Sequence, residues 1–343
     1  MSFSTGGPSA GSDAELRDAI VECLAAYSGV VRDVVQLERC NSLYSSSFWL
    51  EEIDVHLDDG NDLRLIFKDL GPGAVHESAQ RAKPAFLYDP MREIEAYRLL
   101  VAPANLGTAI FYGAAVDPDA ERYWLFLERV PGVELFQKGE FQVWRFVASW
   151  LSRMHTRFSQ DVMPLNQEQA AHLIRYDADL YRTWLDRARA LGSHAAAPED
   201  VRGLMQQYES LIDRLASLPV TVIHGEFYAS NILIDERDDG PLRVCPVDWE
   251  TVAVGPGLMD VAALIAGSWS ESEKRALALT YFQTLSPESR AWSDADTFLA
   301  DLDCCRLHIA VQWLGWSSNW MPPPQRTYDW LGEAMRVARR IRG

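Results

Sequence analysis

Two hydrophobic periods run through this chain in succession, and their order limits the folds open to it. From about residue 31 to 68, VVQLERCN, FWLEEIDVHL and LRLIFKDL read as strands, separated by the polar loop SLYSSS and the turn DDGND. Asp-Asp-Gly-Asn between two alternating runs is a hairpin signal. A Gly-, Pro- and Ala-containing stretch follows, and Asp89-Pro90 then opens MREIEAYRLLV with a cap residue and a proline at the first helical position. AIFYGAAV and RYWLFLERV supply two further strands. After Pro131-Gly132 the period changes: Val143, Val147, Trp150, Leu151, Met154 and Phe158 fall on one helical face, and Val201, Leu204, Met205, Tyr208, Leu211, Ile212 and Leu215 repeat the pattern. From about residue 258 onward the chain again reads mostly helical. The expectation is an α+β chain with three parts. Residues 1–14 form a disordered tail, 15–130 a small antiparallel sheet lobe carrying one helix, and 131–343 a larger, mainly helical lobe joined by a short hinge. A ligand site between two such lobes is the default expectation.

A chain of 343 residues can fill two packed lobes, and it shows no internal repeat and no apolar run of membrane-spanning length. The first twenty residues offer neither a basic start nor an apolar core for export, so the cytoplasm is the expected location. Five cysteines, at 23, 40, 245, 304 and 305, are odd in number and lack C-x-x-C spacing, which suggests buried thiols, Cys304 and Cys305 among them, rather than disulfides or zinc. With 32 Lys and Arg against 49 Asp and Glu, the net charge of −17 opposes nucleic acid and anionic membranes and would favour a cationic substrate.

The chemistry concentrates in HGEFYASNILIDERDDGPLRVCPVDWE, residues 224–250. NILID and LRVCPVDW are strand-like and ERDDGP is a turn, so the hairpin folds Asn231 back opposite Val247 and Asp248, with Glu226 on the loop just before. An amide oxygen and a carboxylate side by side are hard ligands that suit Mg²⁺, which keeps much of its shell for water and substrate phosphates. The arrangement predicts a metal-nucleotide site.

His224, Gly225, Asn231 and Asp248 carry a specific resemblance. The chain is similar to the aminoglycoside phosphotransferase and choline kinase superfamily, relatives of the protein kinases, whose signature is His-Gly-Asp, four residues, Asn, and then a strand ending in Asp. Gly255-Pro256-Gly257-Leu258-Met259-Asp260 resembles the segment that follows it, and the likeness covers about residues 30 to 340. It implies a protein-kinase-like two-lobed fold in which Asn231 and Asp248 hold Mg²⁺ and Glu226 orients or deprotonates the acceptor hydroxyl. It also implies that Lys68, in LRLIFKDL, grips the nucleotide phosphates, with Glu93 as its carboxylate partner. Glu95 is the alternative partner; Glu93 shares a face with Tyr97 and Leu100, as the family pattern does. Glu128 and Val130, in FLERVPGVEL, would offer backbone groups to the nucleobase, and SLYSSS, through Ser46 and Ser47, would replace a glycine-rich loop over the phosphates. Neither a Walker motif nor G-x-G-x-x-G occurs.

The family signature has Asp where this chain has Glu226, one methylene longer and equally ionised at neutral pH. A longer acid can position a nucleophile if its loop retreats. His224 would support the loop, Asp260 would accept loop N–H groups, and His155 would pack between helices. Glu250, Trp313, Trp316, Trp320 and Asp329 are candidates for the acceptor site, where aromatic faces would stack on a sugar or enclose a quaternary ammonium, with Glu333 adding negative charge. The expected function is ATP-dependent, Mg²⁺-assisted phosphorylation of a hydroxyl on a small molecule: an aminoglycoside, amino sugar, other sugar or amino alcohol. GTP is the alternative donor, and either a monomer or a homodimer fits. The rival reading is a silenced nucleotide-binding scaffold or sensor.

Overall fold

Ser12 opens the first helix. Its hydroxyl accepts the N–H of Glu15 at 3.3 Å while the Glu15 carboxylate accepts the N–H of Ser12 at 2.9 Å, a reciprocal cap that fixes the start of α1, Asp13–Ser28. This is a computed structural model that describes residues 11–42, 47–159, 164–192, 198–236, 240, 242–267, 269–316 and 328–342. The chain divides into two compact units, Met1–Lys83 with Tyr88–Pro131, and Pro84–Leu87 with Gly132–Gly343.

The first unit is built on five antiparallel strands, β1 Val34–Asn41, β2 Leu50–Leu57, β3 Asp62–Asp69, β4 Phe111–Asp117 and β5 Arg122–Glu128, in the order β1-β2-β3-β5-β4. Alternation buries Ile53, Val55, Leu65, Phe67, Trp124 and Phe126 on one face, where Leu16, Ile20, Cys23 and Leu24 of α1 cover them. Gly113 marks the closest approach: a Cβ there would lie 2.6 Å from Cys23 Cβ, so only glycine lets the helix lie this near to β4. The unit therefore carries more than the one helix read from the sequence, and residues 13 and 14 belong to α1 rather than to a tail. A short α2, Glu77–Ala82, lies in the stretch read as irregular.

The segment after Asp89-Pro90 also departs from expectation. Asp89 does cap it, its carboxylate accepting the N–H of Met91 at 2.9 Å. The helix α3 then runs as one α turn, Arg92–Glu95, a π-helical stretch, Ala96–Val101, and a last turn, Ala102–Ala104. Pro103 supplies no N–H and crowds the carbonyl of Leu99, and the widened turn lies immediately before it.

In the second unit, α4 Phe141–Arg157 buries Trp144, Val147, Trp150, Leu151 and Met154 on one face. The helical pattern at 201–215 is two helices, α6 Pro198–Glu209 and α7 Ile212–Ala216, which follow α5 Ala178–Gly192. After α8 Leu258–Leu264 and α9 Glu271–Thr284 comes α10 Ala295–Leu314, buried on several sides, and α11 Trp330–Arg342 ends the chain. Two three-stranded sheets complete the unit: β6 Val133–Glu134, β9 Ile232–Asp235 and β10 Arg243–Pro246 in one, β7 Ile174–Arg175, β8 Val220–Ile223 and β11 Ala253–Pro256 in the other.

Two buried polar features hold α10. Arg306 grips the Glu271 carboxylate with two hydrogen bonds of 3.0 Å and reaches Glu333 at 2.5 Å, and Lys274, Arg336, Arg340 and Asp303 extend this network across α9, α10 and α11. His308 is fully buried, and the hydroxyl of Tyr208 lies 2.7 Å from its Nδ1. Burial keeps the Tyr208 phenol protonated, so it donates to Nδ1 and the imidazole carries its own proton on Nε2, an atom without a hydrogen-bond partner among the described residues. Burial also lowers the His308 pKa from 6.5 to about 3. The unfolded chain therefore binds a proton at His308 between those values while the folded chain does not. His308 contributes stability that is complete above pH 6.5 and declines as pH falls towards 3. Urea unfolding is expected to show His308→Gln with a shallower pH dependence than wild type in this window, the difference in slope approaching about 1.4 kcal/mol per pH unit; parallel slopes would contradict the assignment.

Candidate active site

In the first unit the antiparallel register places Lys68 on the central strand β3, opposite Leu50 on one side and Leu125 on the other. Its ammonium reaches inward to Glu93 Oε2 at 2.6 Å, and both side chains are buried. Glu95, on the same helical turn, instead pairs with Arg98 at 3.0 Å. An ion pair this far from water contributes little net stability, because desolvation offsets the attraction; what it provides is a fixed ammonium. Lys68 also lies 5.5 Å from the ring centroid of Phe48.

The hinge candidates differ from each other. The N–H of Glu128 donates to Ile110 O at 2.9 Å, and its carboxylate accepts the Ile110 N–H at 3.0 Å, so that amide is already engaged and not available to a nucleobase. Val130 is buried, and its backbone makes no hydrogen bond among the described residues. Ser47 is described, and its carbonyl accepts the N–H of His76 at 3.0 Å. Ser46 lies outside the described residues.

In the second unit a single buried carboxylate shapes the loop after β8. Asp260, from the first turn of α8, accepts the N–H of His224 at 2.8 Å and the N–H of Gly225 at 2.9 Å, and lies 3.1 Å from Nε2 of His155. Gly225 has φ +87°, and a Cβ there would run into the carbonyl oxygen of Thr251. His224 is fully buried and bridges the loop to the hairpin: its Nδ1 accepts the N–H of Glu226 at 3.3 Å, which leaves Nε2 as the donor to Val247 O at 2.9 Å.

The hairpin β9–β10 pairs Ile232 with Pro246, and beyond its last rung the N–H of Val247 donates to Asn231 O at 2.9 Å. Asn231 and Asp248 therefore leave the same end of the hairpin. The Asn231 amide is oriented by its Nδ2, which donates to Glu226 O at 3.0 Å, so Oδ1 is the accepting end; it takes a long hydrogen bond from the Ser230 hydroxyl at 3.4 Å and has a second lone pair. Asp248 has left-handed backbone angles, φ +66° and ψ +59°, a conformation costly for a residue with a Cβ and concentrated at functional sites. Among the described residues no group of three or more His, Cys, Asp or Glu is placed to hold a metal. One carboxylate and one amide oxygen fit magnesium, which takes few protein ligands and completes its shell with phosphates and water.

Residues 54–297 match the model of the phosphotransferase enzyme family. The chain belongs to this family. No curated protein sequence matches it. Among solved structures, it resembles the choline kinase LicA from Streptococcus pneumoniae at 13% identity and a TM-score of 0.54, covering 96% of this chain and 99% of that one. The GDP complex of wild-type aminoglycoside 2'-phosphotransferase-IIIa gives 14% identity, a TM-score of 0.55, and coverage of 95% and 98%. An ethanolamine kinase from Plasmodium vivax gives 14%, 0.53, and coverage of 90% and 82%. The phosphotransferase thus has the protein-kinase-like α+β fold and is an enzyme of the small-molecule kinase class. Among its described residues no helix is long and apolar enough to cross a membrane.

Several acceptor-site candidates of this phosphotransferase have other partners. Asp329 is exposed and caps α11, its carboxylate accepting the N–H of Gly332 at 2.8 Å. Glu333, a proposed source of negative charge, is buried. Burial works to raise its carboxyl, and Arg306, with Lys274 and Arg336, outweighs that and holds it below the ordinary range. Glu250 is buried in the turn Trp249–Thr251. Trp316 stacks on Trp184 at 5.8 Å, and Trp313 stacks on Trp330 at 5.4 Å and donates its indole N–H to Tyr228 at 2.6 Å. Trp320 lies outside the described residues. Tyr176 and Tyr228, both close to the Glu226 charge, were missed. Tyr228 stands inside the quoted motif, and an aromatic two residues after the acid was the available signal; Tyr176 has no motif of its own.

Asp260→Asn is expected to keep the side-chain volume while turning one of the accepting oxygens into a donor that faces N–H groups. The predicted result is a loss of about 2–4 kcal/mol in urea unfolding together with weakened phosphoryl transfer. A variant of unchanged stability would show that the loop is held by something else.

Proposed function

We propose that this phosphotransferase moves the γ-phosphoryl group of ATP to a hydroxyl of a small molecule with the help of magnesium. The observation that carries this reading is the common exit of Asn231 and Asp248 from one end of the hairpin, with the Glu226 backbone bonded to the Asn231 amide. Magnesium bound by Asn231 Oδ1 and the Asp248 carboxylate would neutralise charge on the phosphate oxygens. Lys68, held by Glu93, supplies a fixed cation for the nucleotide phosphates, and the backbone of Val130 meets the edge of the base. Glu226 accepts a hydrogen bond from the acceptor hydroxyl, aligns its oxygen with the phosphorus, and takes the proton as the new O–P bond forms and the bond from the γ-phosphorus to the bridging oxygen breaks, releasing ADP. In a loose transition state this acid mainly positions the nucleophile, so a glutamate serves as well as an aspartate provided the loop sets its reach. A neighbouring fold is a GDP complex, which makes GTP the second donor to try.

The glutamate itself also motivates the rival, a nucleotide-binding protein whose transfer chemistry is silenced. Phosphoryl transfer from ATP and GTP across aminoglycosides, amino sugars, neutral sugars and amino alcohols decides between them. Wild type is expected to turn over with at least one class, and Glu226→Ala to lower kcat by about 10²–10⁴-fold with the KM for nucleotide little changed. An inactive wild type that gains turnover as Glu226→Asp would establish the silenced reading instead.

A further inference from the structure

Near Glu226 stand two phenols whose protons meet no acceptor among the described residues. Tyr228 Oη accepts the indole N–H of Trp313 at 2.6 Å. An indole nitrogen only donates, so the Tyr228 oxygen is the acceptor and its own proton remains available. That proton meets no acceptor among the described residues. Tyr176 is 8% exposed and follows β7, its N–H donating to Val254 O at 2.9 Å. Its ring is pinned: a Cβ on Gly255 would lie 2.9 Å from Tyr176 Cγ, and Tyr181 and His308 meet it edge to face. Its hydroxyl makes no hydrogen bond among the described residues and is not one of the fully enclosed polar atoms, so its proton is open to an incoming oxygen.

The two phenols belong to one place. Tyr228 follows Glu226 by two residues, its N–H donating to Glu226 O at 2.7 Å. Burial first, and then the Glu226 charge, raise the pKa of Tyr228, with Tyr176 a smaller contributor; burial, the Asp260 charge and the Glu226 charge raise that of Tyr176. Both stay protonated and act as donors.

Among the described residues, several features that a cationic acceptor would use are engaged elsewhere. Trp184, Trp316, Trp313, Trp330 and Tyr328 form a continuous run of ring contacts, in which Trp313 lies between Trp316 at 5.6 Å and Trp330 at 5.4 Å. Their faces pack on one another, whereas enclosing an ammonium requires open ring faces. Asp329 caps a helix, and Glu333 is matched by Arg306.

Resting on the reading of Glu226 as the residue that orients the acceptor, we propose that the acceptor is a neutral polyhydroxylated molecule, a sugar or polyol, whose oxygens receive the hydroxyl protons of Tyr176 and Tyr228. Trp313 is a positioning residue that fixes Tyr228 as a donor. A site built to donate to substrate oxygens discriminates strongly against analogues lacking them, because its buried donors are then left unpaired.

The test measures transfer from MgATP to neutral sugars and polyols, their monodeoxy forms, and cationic aminoglycosides and amino alcohols. Wild type, Tyr228→Phe, Tyr176→Phe and Trp313→Phe are compared after thermal melts establish that each is folded. Tyr176→Phe removes a hydroxyl without a partner, so its melt should match wild type. The expected result is transfer to a neutral polyhydroxylated acceptor, with each tyrosine variant raising the KM of that acceptor about tenfold while the KM for ATP moves far less. The effect should vanish on the monodeoxy form lacking the contacted hydroxyl, and Trp313→Phe should follow Tyr228→Phe. Transfer confined to cationic acceptors overturns this proposal and leaves the kinase reading standing, as does an acceptor KM within about twofold of wild type in both tyrosine variants. Transfer to no acceptor at all overturns both.

Discussion

The carboxylate of Asp260 is the interaction on which the loop after β8 depends. It is fully buried, and an isolated charge there would be prohibitive. Three donors from two separate segments make it tolerable: the N–H groups of His224 and Gly225, and the imidazole of His155 on α4. Its place in the first turn of α8 adds a favourable field. His155 is fixed in turn by Tyr281 of α9, 2.9 Å from its Nδ1. One buried charge thereby ties the loop after β8 to α4, α8 and α9. The loop's odd backbone, with Gly225 at positive φ against Thr251, persists because these partners over-determine it.

From that anchor the chemistry extends outward by hydrogen bonds of ordinary length. His224 carries the constraint to the hairpin through Val247, and Val247 in turn donates to Asn231. Asn231 then bonds back to Glu226. The circuit closes on itself, so the acid, the amide and the strained Asp248 are placed by the same few contacts. In the first unit the Lys68–Glu93 pair is fixed differently, by strand register on one side and the first turn of α3 on the other. Its partner is one α turn ahead of the π-helical stretch, so the irregularity imposed by Pro103 leaves Glu93 undisturbed.

Sequence made the sheet, the hairpin and the motif legible because each rests on local rules: alternation, turn residues and short-range spacing. Asp89 as a cap and the strand pairing of Ile232 with Pro246 are of this kind. The capping box of Ser12 and Glu15 obeys the same rules and was readable, yet the glycine- and serine-rich segment before it drew Ser12, Asp13 and Ala14 into a presumed tail. The π-helical stretch was not readable, because the same apolar spacing serves an α-helix and only the proline's crowding distinguishes them. Tyr176 lay beyond reach for a different reason. It reaches the site only through parallel pairing of β7 with β11, about 80 residues later, a contact that no local pattern encodes.

Net charge carries less information than local pattern for a physical reason of the same sort. A surplus of acids, −17 over the chain, suggested a cationic substrate, but a sum over the sequence contains no information about which carboxylates are matched. Glu271, Asp303 and Glu333 converge on Arg306, Arg340 and Lys274, and burial opposes the Glu271 charge less than Arg306 and Arg340 favour it, so its pKa falls to about 2. Those acids stay ionised to hold helices together and present little field to a ligand. What a site selects is better read from the hydrogen-bonding capacity left over after the fold has satisfied itself. Among the described residues around Glu226 that remainder includes two phenolic protons, one fixed by an indole N–H and the other by a close glycine backbone, and such donors suit substrate oxygens.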